Sequence, residues 1–181
     1  MSSAIENDFD GIGDPDDMIL QVAYSKEWLA TSRRYGFEFH TEHMAPAFDE
    51  AQVRAKMSVH FKFLARKLRE EMEDGEKLFF YRPEHACEAG EQGERLASAV
   101  RRFGSSALVW VSISEDPARV GTVEWTIPGV LMTAYLDRYG AINYAIHASY
   151  DVWLKVVVRA LELFDAARAP TVLADIALAT D

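Results

Sequence analysis

The stretch that most constrains the fold runs from Asp49 to Ile113, where amphipathic and apolar segments alternate. In its first segment apolar side chains recur every three or four residues, which predicts a helix with one buried stripe. The members of this stripe are Val53, Met57, Phe61, Leu64, Leu68 and Met72. Asp49 and Gln52 have the spacing of a capping box, and Gly75 has the freedom to adopt the left-handed conformation that ends many helices. The sequence therefore predicts one long helix between Asp49 and Gly75.

The remainder of this stretch predicts a strand, a helix and a second strand. Leu78–Tyr81 and Ala107–Ile113 are short apolar runs without alternation, which is typical of parallel strands covered on both faces. Residues 88–103 between them have helical periodicity, and Gly104 follows. Such lengths favour a right-handed parallel crossover. We therefore predict an α/β fold with a mixed sheet, in which a central parallel βαβ unit has antiparallel edge strands and helices packed on it.

Shorter alternating segments on both sides of this unit predict the antiparallel strands. They are residues 19–24, 27–31 and 37–41, which form a meander, and residues 122–127 and 130–135, which flank the turn pair Pro128-Gly129. A last helix is predicted to begin at Ser149 and to end before Pro170. Its core-facing residues are predicted to be Trp153, Val156, Val157, Ala160 and Phe164.

Composition limits the domain count and the class of partner. With 181 residues, of which 49% are hydrophobic, the chain is predicted to form a single domain over 18–168. Residues 1–17 are predicted to be a loose acidic terminus, and residues 169–181 a frayed tail. A net charge of −10 and a pI of about 5.0 disfavour nucleic acid and anionic membranes as partners.

The sequence also bears on the cellular compartment and on cofactors. One cysteine excludes an internal disulfide framework, no apolar segment is long enough to span a membrane, and the acidic start is unlike a signal peptide. A cytoplasmic location is therefore expected. The glycine-rich segments match neither a phosphate-binding loop nor a dinucleotide fingerprint, so no cofactor is predicted.

The candidate ligand site lies at the carboxyl ends of the two predicted parallel strands, where open α/β sheets bind ligands. Arg82 and Glu84 follow the first strand, and Ser112 and Ser114 lie at the end of the second. Arg82 has the geometry to bind a carboxylate or a phosphate. We predict that these four residues contact a small-molecule or glycan ligand; the alternative is that they are ordinary polar loop residues.

The candidate catalytic residues are His85, Cys87 and His40. His85 and Cys87 are close in sequence and suggest a thiol nucleophile with its base, although catalytic pairs of this kind usually come from distant segments. His40 and His43 could bind a metal only with further ligands, and no third ligand is apparent, so no metal site is predicted.

An ordered set of short segments resembles a bacterial family described as papain-like cysteine peptidases, which accompany glycosyltransferase and surface-polysaccharide genes. The segments are Phe-Asp-Gly-Ile-Gly-Asp-Pro at 9–15, Arg-Tyr-Gly-Phe at 34–37, His-Thr at 40–41, Phe-Leu-Ala-Arg-Lys-Leu at 63–68, Gly-Glu-Lys-Leu-Phe at 75–79, Leu-Val-Trp-Val at 108–111 and Gly-Thr-Val-Glu at 121–124. The resemblance implies a site role for His40. Family members carry their cysteine in a Leu-Gly-x-x-Cys segment that is absent from this sequence, and the family pattern gives Cys87 no role.

Three functional hypotheses follow from these observations. The first is a non-catalytic or truncated member of that family, which acts as a binding module in polysaccharide or glycan metabolism. The second is a hydrolase or transferase with its site at the carboxyl ends of the parallel strands. The third is a protein-interaction domain that uses exposed aromatic side chains such as Trp28 or Trp125.

Overall fold

The computed structural model describes residues 2–83, 85, 87–139 and 150–169. The chain divides into two compact units, each described here by itself. The first comprises Met1–Glu76 and Ser98–Ser105, and the second comprises Lys77–Ala97 and Ser106–Asp181. The single domain over 18–168 stays a prediction.

A three-stranded antiparallel sheet forms the first unit's meander, as the alternating segments predict. Its strands are β1 (Met18–Val22), β2 (Glu27–Ser32) and β3 (Glu38–Met44), in that spatial order. Both neighbouring pairs are antiparallel, and a register irregularity interrupts the second pair between Glu27 and Leu29. The meander is therefore a sheet of its own rather than the edge of a larger one.

Helix α2 (Glu50–Asp74) packs its buried stripe against this sheet. The capping box is confirmed, since the Gln52 amide donates to the Asp49 carboxylate at 2.8 Å and the Asp49 amide donates to the Gln52 side chain at 3.1 Å. Gly75 has a φ of 73° and ends the helix as predicted. Two predicted stripe residues differ: Leu64 is 37% exposed and Leu68 is half-buried, and both border an apolar pocket.

The amino-terminal segment differs from the predicted loose terminus. It begins with the short helix α1 (Ser2–Glu6), in which Ala4 and Ile5 are buried, and continues to the buried Phe9. The Phe9 ring lies 6.3 Å from that of Phe103, and the Arg102 guanidinium donates to the carbonyls that end α1. Scattered apolar residues among the acidic ones hold the segment in place.

The second unit contains a four-stranded mixed sheet. Its strands are β4 (Leu78–Tyr81), β5 (Ala107–Ile113), β6 (Val123–Ile127) and β7 (Leu131–Leu136), in the spatial order β4-β5-β7-β6. The β4–β5 and β5–β7 pairs are parallel, and the β6–β7 hairpin is antiparallel. The predicted α/β class with a mixed sheet is therefore confirmed. The predicted crossover pair lies to one side of this sheet, with β4 at the edge, so Phe80 remains 36% exposed.

Besides a short 3-10 helix at Pro15–Asp17, two further α-helices complete the described structure. Helix α3 (Gly90–Arg101) connects β4 to β5, and helix α4 (Tyr150–Arg168) packs on one face of the mixed sheet through Val156, Ala160 and Phe164. The predicted helix boundaries Ser149 and Pro170, and the predicted tail beyond Ala169, lie outside the described residues. Within the described part of the chain, no helix is both long and apolar enough to cross a bilayer.

Candidate functional site

The carboxyl ends of β4, β5 and β7 lie at one edge of the mixed sheet, because the three strands are parallel. A cleft of about 550 Å³ opens beside the ends of β5 and β7. Ser114 directly follows β5 and Asp137 directly follows β7, and both line the cleft together with Glu115. The Ser114 amide donates to the Leu136 carbonyl at 2.9 Å, which fixes the two strand ends relative to each other.

The loop after β5 is shaped by hydrogen bonds between its side chains and its main chain. The Asp116 amide donates to the Ser114 hydroxyl at 3.2 Å, and the Ala118 amide donates to the Asp116 carboxylate at 2.9 Å. These contacts shape the loop whose Ser114 and exposed Glu115 line the cleft together with Asp137. The cleft therefore combines hydrogen-bond acceptors with the apolar side chains of Pro117 and Val120.

The loop after β4 is held against β5 through the main chain of Cys87. The Cys87 carbonyl accepts hydrogen bonds from the Trp110 indole at 3.0 Å and from the Ser112 hydroxyl at 3.1 Å. Trp110 and Ser112 are buried, whereas Cys87 is exposed. The predicted ligand residue Ser112 thus lies beneath the loop, where its hydroxyl positions the Cys87 backbone.

Arg82 lies at the end of β4 and is exposed. Its guanidinium carbon lies 5.1 Å from the centre of the Tyr139 ring, and the Tyr139 hydroxyl donates to the Val111 carbonyl at 2.7 Å. Burial raises the pKa of Tyr139, the nearby Cys87 raises it further, and Arg82 opposes the shift. The Tyr139 ring therefore positions the Arg82 side chain, whose charged group remains exposed to solvent.

The remaining predicted residues are not assembled into a catalytic pair in the described part of the chain. His85 is exposed, and no hydrogen bond joins it to Cys87 among the described residues. Glu84 lies outside the described residues. The structure therefore brings Arg82, Cys87, Ser112 and Ser114 to the strand-end edge of the second unit.

His40 belongs to the first unit. Its imidazole Nδ1 lies 2.9 Å from a carboxylate oxygen of Glu27 on the neighbouring strand, and its side chain is 72% exposed. The hydrogen bond to Glu27 raises the pKa of His40. The same contact, together with the Glu42 amide, lowers the pKa of Glu27. No group of three or more metal-binding side chains occurs among the residues that the structure describes.

A polar cluster in the second unit was not predicted from the sequence. The Tyr135 hydroxyl donates to Glu124 at 3.1 Å, and the Arg119 guanidinium lies 3.8 Å from the Tyr135 ring centre and 3.3 Å from Glu124. Burial, followed by the hydrogen bond to Glu124, raises the pKa of Tyr135 to about 12. The Pro128-Gly129 turn pair could have indicated this cluster, because it predicts a hairpin in which β6, with Glu124, pairs with β7, with Tyr135.

The tryptophans proposed as exposed partner contacts are not exposed. Trp28 is half-buried against the first unit's core, and its indole donates to the Phe48 carbonyl at 3.0 Å. Trp125 is half-buried against the second unit's core. Both lie on strands that present alternate side chains to a covering helix, which draws the large ring inward.

No protein-family model, curated protein or solved structure matches the chain. The architecture and the strand-end cleft define the class: an α/β protein with a mixed sheet and a cleft of polar and apolar side chains at the carboxyl ends of its parallel strands.

Proposed function

We propose that the chain is a non-catalytic ligand-binding domain of bacterial polysaccharide or glycan metabolism, related to the papain-like cysteine peptidase family and located in the cytoplasm. Its ligand is a hydroxyl-rich sugar that binds in the cleft at the ends of β5 and β7. The observation that carries this proposal is the placement of Ser114, Glu115 and Asp137 around one cleft of about 550 Å³. Carboxylates accept strong hydrogen bonds from hydroxyl donors, and pockets of this size suit small ligands.

The proposal extends to an anionic group on the sugar. Arg82 lies at the end of β4, the strand beside β5, and its exposed guanidinium is held over the Tyr139 ring. A planar guanidinium binds carboxylate and phosphate in a bidentate manner. A phosphorylated or carboxylated sugar, including a nucleotide sugar, offers hydroxyls to the cleft and a negative charge to Arg82.

Isothermal titration with a panel of sugars, sugar phosphates and nucleotide sugars tests this function. We expect Asp137→Asn and Ser114→Ala to weaken binding, because each removes an acceptor or a hydroxyl from the cleft wall. Asp165→Asn on the exposed face of α4 is the matched control and should leave affinity unchanged. Failure of every member of the panel to bind would refute the proposal, as would hydrolysis by the chain that Cys87→Ala abolishes.

The second candidate is a hydrolase or transferase that uses Arg82, His85 and Cys87. The observation that favours it is the exposed Cys87 in the loop after β4, whose main chain Trp110 and Ser112 hold against β5. This candidate predicts that an Arg82→Ala, His85→Ala double variant loses a measurable turnover. Unchanged activity in that variant would eliminate it.

The third candidate is a protein-interaction domain, and its surface is the outer face of α4. Tyr150, Leu154, Val158 and Leu161 recur at helical spacing and are each about half exposed, with Leu154 at 49%. Contiguous exposed apolar side chains of this kind are typical of partner surfaces. Light scattering of the wild type and of Leu154→Glu tests whether this face joins two chains; a strictly monomeric wild type would count against self-association.

A further inference from the structure

The loop between β5 and β6, residues 114–122, supplies most of the side chains that line the strand-end cleft, and it is here called the cleft loop. Its lining residues are Ser114, Glu115, Pro117 and Val120. Because four lining residues belong to one loop, the conformation of that loop determines the shape of the cleft. The contacts that hold the loop therefore bear directly on what the cleft binds.

Main-chain hydrogen bonds attach the two ends of the cleft loop to β7. At its start the Ser114 amide donates to the Leu136 carbonyl at 2.9 Å. At its end the Gly121 amide donates to the Tyr135 carbonyl at 2.8 Å, and the Tyr135 amide donates to the Thr122 carbonyl at 3.1 Å. The two ends of the loop are thus fixed by the backbone of β7.

The side chain of Arg119 attaches the part of the loop that lies between these ends. Its guanidinium carbon lies 3.8 Å from the centre of the Tyr135 ring, and its Nη2 lies 3.3 Å from a carboxylate oxygen of Glu124. Arg119 stands between Pro117 and Val120 in the sequence, yet it does not line the cleft as the structure describes it. Its contacts with the sheet are therefore made beside the apolar lining residues, outside the space that a ligand would occupy.

Tyr135 is a fixed platform for Arg119. Its side chain is buried on β7, with 3% exposed, and its hydroxyl donates to the same Glu124 that pairs with Arg119. Burial, followed by this hydrogen bond, raises the pKa of Tyr135 to about 12, so the hydroxyl stays protonated and keeps donating near neutral pH. Asp137, which lines the cleft, follows Tyr135 by two residues. Arg119 thus ties the cleft loop to the strand that leads to Asp137.

We propose that Arg119 is a positioning residue of the cleft, and this inference rests on the proposed sugar-binding function. By stacking on Tyr135 and pairing with Glu124, it holds the apolar side chains of the cleft loop beside the C–H face of the bound sugar. Apolar side chains with a few fixed polar groups are the usual lining of small-molecule sites. Arg119 acts on affinity through the loop and makes no contact with the sugar.

The first test needs no ligand. In the wild type we expect the Tyr135 ring current to shift the NMR signals of the Arg119 side-chain protons upfield. Arg119→Ala should speed amide exchange at Ala118 roughly three- to tenfold, as is expected from an exposed cation–π contact and an exposed ion pair together. Arg159→Ala is the matched control, since Arg159 is an exposed arginine of α4 that pairs with Glu162 at 2.9 Å. It removes the same charge and should leave exchange at Ala118 unchanged.

The second test is calorimetric titration with UDP-glucose, glucose 1-phosphate and glucose. For the probes that bind the wild type, Arg119→Ala should weaken binding roughly three- to tenfold, in step with the faster exchange at Ala118. Arg119→Lys should recover part of the affinity, because an ammonium group also contacts an aromatic face and a carboxylate. Arg159→Ala should bind as the wild type does, which separates the loop contact from the loss of one positive charge.

The possible failures are distinguishable. If none of the three probes binds the wild type, the proposed function fails for them and the positioning role fails with it, whatever the exchange data show. If a probe binds the wild type, three results would overturn the positioning role alone: no upfield shift of the Arg119 signals, unchanged exchange at Ala118 in Arg119→Ala, or undiminished affinity in that variant. An equal loss of affinity in Arg159→Ala would also overturn it, because net charge would then account for the effect.

Discussion

The two central strands of the mixed sheet are buried to a much greater degree than the strands of the meander. In the second unit every residue of β7, and all but the last residue of β5, is buried. In the first unit only Met18, Ala30, Ser32 and Thr41 of the three strands are buried. Strands β5 and β7 have neighbours on both sides, α4 packs on one face, and Gly93 of α3 closely approaches Trp110 on the other. The meander is covered by α2 on one face.

The first unit has less apolar burial in its strands, and several hydrogen bonds of charged side chains join its segments. The Arg54 guanidinium donates to the carbonyls of Pro15 and Met18 at 2.7 Å and 2.6 Å. Asp17 accepts from the Ser32 hydroxyl at 2.6 Å and from the Arg34 amide at 2.8 Å. The comparison indicates that apolar burial dominates the stability of the second unit, whereas that of the first depends more on individual hydrogen bonds and backbone conformations.

The largest expected effect is loss of a core side chain in the second unit. Met132→Ala removes a fully buried side chain from the centre of the mixed sheet and should lower the free energy of unfolding by about 3 kcal/mol. Leu20→Ala removes a half-buried side chain of the meander and should cost about 1 kcal/mol, since less apolar surface returns to water. Urea unfolding of both variants measures the difference. Equal losses in the free energy of unfolding would show that the two sheets do not differ in their dependence on apolar burial.

The next effect concerns Gly13 of the amino-terminal segment, which lies very close to α2. Gly13 has a φ of +80°, and a Cβ there would lie 2.7 Å from the Ser58 carbonyl oxygen. Gly13→Ala should therefore cost more than the roughly 1 kcal/mol that a left-handed conformation alone imposes. Gly36→Ala is the control, because Gly36 has a φ of +69° with nothing within 4 Å. If thermal unfolding shows equal losses of stability for the two variants, the close approach of Gly13 to Ser58 has no measurable effect on stability.

A smaller effect is expected at the start of α2. Asp49→Ala removes the side-chain half of the capping box and should cost about 1 kcal/mol, whereas Asp49→Asn retains an acceptor and should cost much less. Chemical unfolding monitored by circular dichroism at 222 nm compares the two. A loss as large for Asn as for Ala would assign the effect to charge rather than to the hydrogen bond.

Local chemistry explains which parts of the fold could be predicted. The α2 boundaries follow from Asp49, Gln52 and Gly75. Asp49 and Gln52 form hydrogen bonds with main-chain amides only three positions apart, and Gly75 ends the helix through its own backbone conformation. The apolar run at 107–113 predicted the observed bounds of β5, and Pro128-Gly129 predicted the turn between β6 and β7. The order of strands depends on pairing between distant segments, which periodicity does not encode. This is why β4 was expected at the centre and lies at the edge.

The candidate site could be predicted only as a location. The parallel strands indicated their carboxyl ends, and Ser114 does line the cleft there. The contribution of Asp137 to the lining could not be foreseen, because it depends on β7 pairing with β5. The hydrogen bond from Ser112 to the Cys87 carbonyl joins residues 25 positions apart and has no sequence signature. Cleft walls are built by such long-range contacts.

The smallest predicted effect is the pH dependence of the His40–Glu27 pair, one of the first unit's polar contacts. The pKa of His40 is raised by Glu27, so this contribution to stability is complete below the usual His pKa of about 6.5 and disappears as pH rises through the raised value. The pKa of Glu27 is lowered, so its contribution is lost only in acid, as pH falls through that lowered value. The two contributions coexist in the mildly acidic range.

Comparison of Tm for the wild type and Glu27→Gln at about pH 5.5 and about pH 8 measures this dependence, with proton NMR titration of His40 as the direct readout. We expect the difference in Tm to be greater at the lower pH and the pKa of His40 to fall in the variant. At the higher pH the hydrogen bond from the Glu42 amide to Glu27, at 2.8 Å, remains in the wild type, so a small difference should persist. A difference in Tm that does not change with pH would show that the strands are joined by hydrogen bonds alone. The ionic part of the contact would then contribute nothing to the first unit.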